Sequence, residues 1–251
     1  MIDLCFPRPI QVFNMQMTNE QKAALAKELI DAATQKNLTI RALGGIAVYL
    51  ACESIKTHPT LERERGDLFF VAAEKDFAAL AEVFQARGWQ ARAKENARWG
   101  FELGGARAGL VAPQFRGDHR LDFSARLALA APTIPLADLL LTLLQKKKLD
   151  EDAVKDAIAL LLDHRVAKGE ADAQIDHLYI AQLTRGNWSL WTTVYDNTIE
   201  LENGVEKYLE PDEAQLVWRR IELIQGDMDL QRKTPLWMVN QIFRRPTQVP
   251  R

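Results

Sequence analysis

Two hydrophobic rhythms meet in this chain near Pro135, and that junction constrains the fold more than any single motif. Before it, short apolar runs alternate with helical patterns; after it, segment after segment repeats apolar residues at the spacing of an amphipathic helix. Thr18 followed by Gln21 is a capping-box pattern, opening a helix with Leu25, Leu29, Ile30 and Ala33 on one side. A short strand over residues 38–43 stops at Gly44-Gly45, and a helix over 46–55 follows. The continuous apolar run at 67–73 fits a buried strand, and a helix over 75–87 follows it. Strands near 99–103 and 107–112 flank Gly104-Gly105, which suits a hairpin. Beyond Pro135 only helices are predicted: 136–148, one capped by Asp150, then 173–184, 188–200 and 211–225, with a last short one after Thr234-Pro235.

This pattern predicts an α+β protein, with a small mixed β-sheet core and flanking helices followed by an all-helical region. The divisions expected are an N-terminal arm at 1–17, the α/β core at 18–134, a helical domain at 135–225 and a C-terminal tail at 226–251. At 251 residues and 47% hydrophobic content, such a chain can bury a core without disulfides or structural metal. Two cysteines, Cys5 and Cys52, form no disulfide framework, and the first 17 residues lack a signal peptide's layout, so the expectation is a cytoplasmic protein. No apolar stretch approaches the roughly 20 residues of a membrane helix, so no membrane partner is expected. A net charge of -2 argues against a dedicated duplex-DNA binder and leaves room for a local basic groove.

The order helix, strand, Gly44-Gly45, helix, Arg63, strand from Asp67, hairpin strands continues into Pro135-Leu136-Ala137-Asp138-Leu139-Leu140-Leu141-Thr142. It then reaches Lys155-Asp156-Ala157-Ile158-Ala159-Leu160-Leu161-Leu162-Asp163-His164 and the helix start Asn187-Trp188-Ser189-Leu190-Trp191. From about residue 38 to about 223 this resembles the nucleotidyltransferase-like proteins of the DNA polymerase beta superfamily, specifically the bacterial group related to abortive-infection toxins. The resemblance implies a nucleotidyltransferase core in which an Asp-x-Asp pair on one strand and a third carboxylate on a neighbouring strand hold Mg²⁺ against a nucleoside triphosphate. Alternate strand residues share a face, and Mg²⁺ demands converging oxygen ligands. It also implies that the glycine pair lets backbone amides approach phosphate.

At the decisive positions the chain departs from that pattern. Asp67 stands at the first carboxylate position, but Phe69 stands at the second and Gly109 at the third, and residues 103–117 contain no Asp or Glu. A lysine expected before Leu-Gln is replaced in Leu143-Leu144-Gln145, whereas Lys155 and Asp156 match. One carboxylate cannot assemble a two-metal clamp, and losing several groups of a cooperative site takes activity to background. The resulting expectation is a pseudoenzyme that acts by binding a nucleotide, an RNA or a protein partner, a second copy of itself included, with no metal or cofactor.

The residual candidates are Asp67 as a leftover metal ligand, and Gly44, Gly45, Arg63, Lys155 and Asp156 as nucleotide-binding residues. Each also has a plainer reading: the glycines as a tight turn, Asp67 as an ion pair with Arg63 or Arg65, Lys155 and Asp156 as a solvated helix face. Asp118-His119-Arg120-Leu121-Asp122 is a further polar cluster, with acid–base or structural use both open. Two alternatives stand beside the pseudoenzyme. One is an active Mg-dependent nucleotidyltransferase with carboxylates relocated to Glu62, Glu64 or Glu102. The other is an antitoxin-like or scaffold protein acting through its helical surface.

Overall fold

The protein, seen in a computed structural model, is described over residues 17–92, 99–169, 174–235 and 237. Helix α1 (Asn19–Gln35) opens on the capping box that Thr18 and Gln21 predict, each side chain bonding the other's backbone N–H. Strand β1 (Ile40–Leu43) breaks at Gly44, whose φ of +71° suits glycine, and the chain enters α2 (Gly45–Ala51). The helix expected over 46–55 is interrupted: Cys52 is extended, and α3 (Ser54–Thr57) restarts with the Ser54 N–H donating to the Asp163 carboxylate at 2.9 Å.

Strand β2 (Leu68–Ala72), helix α4 (Phe77–Ala86) and strands β3 (Gln90–Ala91), β4 (Trp99–Leu103) and β5 (Ala106–Val111) complete a five-stranded sheet of order β1-β2-β5-β4-β3. Strands β2 and β5 run parallel at its centre; the other neighbours are antiparallel, so the sheet is mixed as expected. Gly104 and Gly105, both with positive φ, make the β4–β5 turn. A small hairpin of β6 (Gln114–Arg116) and β7 (Arg120–Asp122), which the sequence reading did not resolve, leaves the end of the sheet.

Helix α5 (Leu136–Leu144) is buried nearly all round, which is why it reads as an unbroken apolar run, and it touches α6, α7 and α8. It stops at Leu144, short of the expected 148, so Lys146, Lys147 and Lys148 lie in the following turn. Helix α6 (Glu151–Asp163) is capped by the Asp150 carboxylate on the Ala153 N–H; beyond it, contrary to the all-helical expectation, β8 (Arg165–Ala167) pairs in parallel with β9 (Gln174–Asp176). The helix expected from 173 begins as that strand, and only α7 (His177–Thr184) is helical. Then come α8 (Trp188–Gly204) and α9 (Pro211–Leu230), which runs past the boundary drawn at 225. The arm at 1–16 and most of the tail, with its expected helix, lie outside the described residues. One continuous apolar cluster joins the sheet, its helices and the helical half. No helix among the described residues is long and apolar enough to cross a membrane.

Candidate functional site

A cleft of about 810 Å³ opens between the sheet and the helical half. Leu43, Gly44, Gly45 and Phe69 form its floor, Phe115, Arg116 and Arg120 on the hairpin form one wall, and Lys146, Asp150, Asp152 and Asp156 stand opposite. The fold thus brings together Gly44, Gly45, Arg63 and Asp156 of the sequence-derived candidates, with Phe69 among them. Lys155 and Asp67 do not line it.

The floor is apolar because of one register. Phe69 on β2 pairs directly with Gly109 on β5, and a side-chain carbon on Gly109 would lie 3.2 Å from the Phe69 ring. The other edge of that ring is 4.0 Å from the corresponding point on Gly44. The ring therefore spans from the strand-to-helix turn to the neighbouring strand, over the surface where the resemblance implies carboxylates. Gly109 permits this closeness, since any larger residue would push the ring aside.

Asp67 accepts from the Arg107 Nε at 3.0 Å. The partner expected was Arg63 or Arg65; the parallel pairing of Leu68 with Ala108 instead sets Asp67 level with Arg107. Arg63 and Arg65 both turn to Asp156, whose carboxylate is almost wholly buried. It receives Arg63 Nε at 3.2 Å and Nη2 at 2.5 Å, and Arg65 Nη2 at 3.0 Å. Arg63 also reaches Asp152 at 3.1 Å, and its guanidinium lies 2.7 Å from where a Gly45 side chain would begin. The glycine at position 45 thus makes room for an internal ion pair. Lys155, about 100° round α6 from Asp156, points elsewhere and pairs with Glu151 at 3.2 Å.

The donor set around the cleft does not suit a divalent cation. Among the described residues no group of three or more His, Cys, Asp or Glu side chains converges as metal ligands. Asp152 and Asp156 do converge, but on the Arg63 guanidinium, Asp150 is taken by Lys146 at 2.7 Å, and Glu74 is the one further carboxylate among the described lining residues. Glu62, Glu64 and Glu102 lie off the cleft; Glu64 is 3.9 Å from Lys22 and Glu102 pairs with Arg92. That distribution leaves Arg116 and Arg120 as lining cations with no direct ion pair within 4 Å among the described residues, although Arg120 also attracts the nearby Asp122 carboxylate, and they occupy directly opposed positions of the hairpin. Two adjacent guanidiniums lining a cleft are suited to an anion. The sequence reading missed this pair, although Gly117-Asp118 between two alternating triplets is a hairpin signal.

The polar cluster at 118–122 divides. Arg120 faces the cleft, whereas Asp118 accepts from the Lys147 N–H at 2.8 Å, the His119 N–H donates to the buried Gln145 at 2.7 Å, and the His119 imidazole meets the Thr193 hydroxyl at 2.9 Å. These contacts pin the hairpin to the end of α5 and to α8. Burial pushes the His119 pKa down, against the opposing pull of Asp118, so folding favours its neutral form. The unfolded chain then takes up this proton at higher pH. The contribution is whole above the ordinary histidine range and is lost as pH falls through the folded value. Between about pH 7.5 and pH 5, spanning the unperturbed value of about 6.5, the melting temperature of the native chain is expected to fall more steeply than that of His119→Gln. Parallel pH profiles would exclude the linkage. Outside the cleft, Cys52 lies 3.8 Å from His164, a contact the sequence reading did not foresee, and burial raises its thiol pKa so that it stays protonated.

No family model and no curated protein sequence matches this chain. Among solved structures it is similar to "Crystal Structure of ANT(2")-Ia in complex with adenylyl-2"-tobramycin", at 10% identity over 83% of this chain and 97% of that one, with a TM-score of 0.34. It is likewise similar to "Solution Structure of Antibiotic-Resistance Factor ANT(2'')-Ia Reveals Substrate-Regulated Conformation Dynamics", at 10% identity over 84% and 91% of the two chains, with a TM-score of 0.35. At such identity and overlap the likeness assigns neither ligand nor activity to this chain.

Proposed function

We propose that this chain is a nucleotidyltransferase-fold protein that has lost catalysis and uses its cleft to bind a nucleotide without a metal ion. The observation that carries this reading is the Phe69 ring packed on Gly109, which gives the cleft floor hydrocarbon where phosphoryl-transfer chemistry needs oxygen ligands. The ligand's negative charge would be met by Arg116 and Arg120 on the hairpin, and the Phe69 and Phe115 rings offer surfaces for a base. Arg63 and Asp156, bound to each other, would shape the far wall without contributing net charge.

Titration calorimetry with ATP and with CTP, each with magnesium and with EDTA, tests the reading. Binding is expected to survive chelation, and Arg116→Ala with Arg120→Ala is expected to weaken it at least about tenfold, since each charged hydrogen bond is worth roughly 1.5–3 kcal/mol. Tight binding only with magnesium, accompanied by transfer of label from the nucleotide to RNA or protein, would overturn lost catalysis and favour relocated ligands. Absence of nucleotide binding would overturn the binding role. The scaffold reading is favoured by exposed leucines on α9, while the open cleft speaks for a ligand.

A further inference from the structure

Helix α9 is apolar on two faces. Ala214, Val217, Ile221, Ile224 and Met228 are buried against the body, while Leu216, Leu223 and Leu230 stand 38%, 48% and 82% exposed. The three leucines recur every seven residues, and Asp212, Arg219 and Gly226 fill the intervening steps of four and three, so this outer face has the spacing of a coiled-coil seam. On α8, alongside, Ile199 is 40% exposed; Gln225 donates to the Thr198 hydroxyl and Tyr195 to Asp229, which fixes the two helices side by side. Four of the five large hydrophobic residues exposed among the described residues lie on this pair of helices. A helix apolar on opposite faces needs a second packing partner.

We propose that this face joins two copies of the chain through antiparallel pairing of α9. Charge decides the occupant and the direction. With Leu223 on the twofold axis, Leu216 of one copy meets Leu230 of the other, and Arg219 lies level with the other copy's residues 226 and 227. Gly226 is exposed and has open space where a side chain would begin, so the guanidinium can pass over it to the exposed Asp229 carboxylate of the other copy. The same contact repeats across the axis. Parallel pairing would instead set Arg219 against Arg219 and Asp229 against Asp229. Glu222, exposed on the same flank, approaches its own copy beside the axis, so it is the two Arg219–Asp229 contacts that favour this orientation of a twofold interface. Twenty helical residues extend about 30 Å, a contact near the small end of specific interfaces, where weak and transient association is common. The inference is independent of what the cleft binds.

Sedimentation velocity on the full chain from about 1 to 100 µM tests it, a window that brackets micromolar dissociation constants. The mass is expected to rise from 28.4 kDa toward twice that value. Leu223→Glu should keep the chain monomeric with unchanged circular dichroism and melting, because the side chain is exposed. Arg219→Glu alone and Asp229→Arg alone should each weaken self-association at least about tenfold, the scale of one charged hydrogen bond, and mixing the two variants should restore a dimer, a rescue that loss of the Tyr195 hydrogen bond to Asp229 cannot produce. A chain monomeric throughout would overturn the proposal and leave the face to a different protein. A dimer indifferent to Leu223→Glu would overturn it by placing the contact elsewhere.

Discussion

Asp156→Ala is expected to lower the melting temperature of this protein by about 6–20 °C, the shift that a loss of about 3–5 kcal/mol produces in a chain of this size. The Asp156 side chain is 1% exposed and receives hydrogen bonds from both Arg63 and Arg65. Burial pushes its carboxyl up from the usual range, and the two guanidiniums oppose that rise. Forming such a group from water gains little; removing the carboxylate alone is costly, because Arg65, itself 1% exposed, is left charged and buried with only the Arg63 carbonyl and the Tyr49 ring beside its guanidinium among the described contacts. The cost is also architectural. Arg63 and Arg65 precede β2 while Asp156 sits in the middle of α6, so the cluster ties the sheet to the helical half, and the Lys22 ammonium on α1 adds a hydrogen bond to the Arg65 carbonyl. Asp156→Asn keeps the shape without the charge and should fall between alanine and the native chain. Thermal denaturation followed by circular dichroism measures all three; a shift below about 2 °C for alanine would mean that the guanidiniums find water as readily as they find Asp156.

Asp138→Ala should destabilise by a comparable amount, again about 3–5 kcal/mol. Asp138 lies in the first turn of α5 with no solvent exposure, accepting from Arg126 Nε at 2.6 Å and from the Tyr179 hydroxyl at 2.7 Å. The Arg126 guanidinium lies 3.5 Å over the Tyr179 ring, so one carboxylate holds the loop after β7, the start of α5 and helix α7 together. A graded series separates charge from packing. Tyr179→Phe removes one hydroxyl and should cost less, about 1.5–3 kcal/mol, the worth of one hydrogen bond to a charged group. If Tyr179→Phe were as damaging as Asp138→Ala, the aspartate's charge would not be what matters.

Features of the fold that depend on neighbouring residues were legible in the sequence. Thr18 and Gln21 cap α1 as a local pattern demands, Gly104-Gly105 turns a hairpin, and the apolar run at 136–144 becomes a buried helix. Features that depend on distant residues were not. The strands β8 and β9 have three residues each, too short for any periodicity, and exist because each satisfies the other's backbone. The helix at 46–55 breaks at Cys52 because Asp163, over a hundred residues away, captures the Ser54 N–H. Lys155 and Asp156 looked equivalent as a motif, yet adjacent positions on a helix diverge by about 100°, and only Asp156 faces the arginines.

By itself the sequence determined which side chains are available: phenyl at 69 and hydrogen at 109 carry no oxygen, whatever the fold does with them. Tertiary structure alone decided which charges are paired directly and which line the cleft. Arg63 is neutralised by an aspartate 93 positions on, while Arg116 and Arg120, an unremarked pair in the linear chain, are left facing the cleft. An ion's availability is set by what lies within a few ångströms of it, and in a folded chain those neighbours come from anywhere along its length.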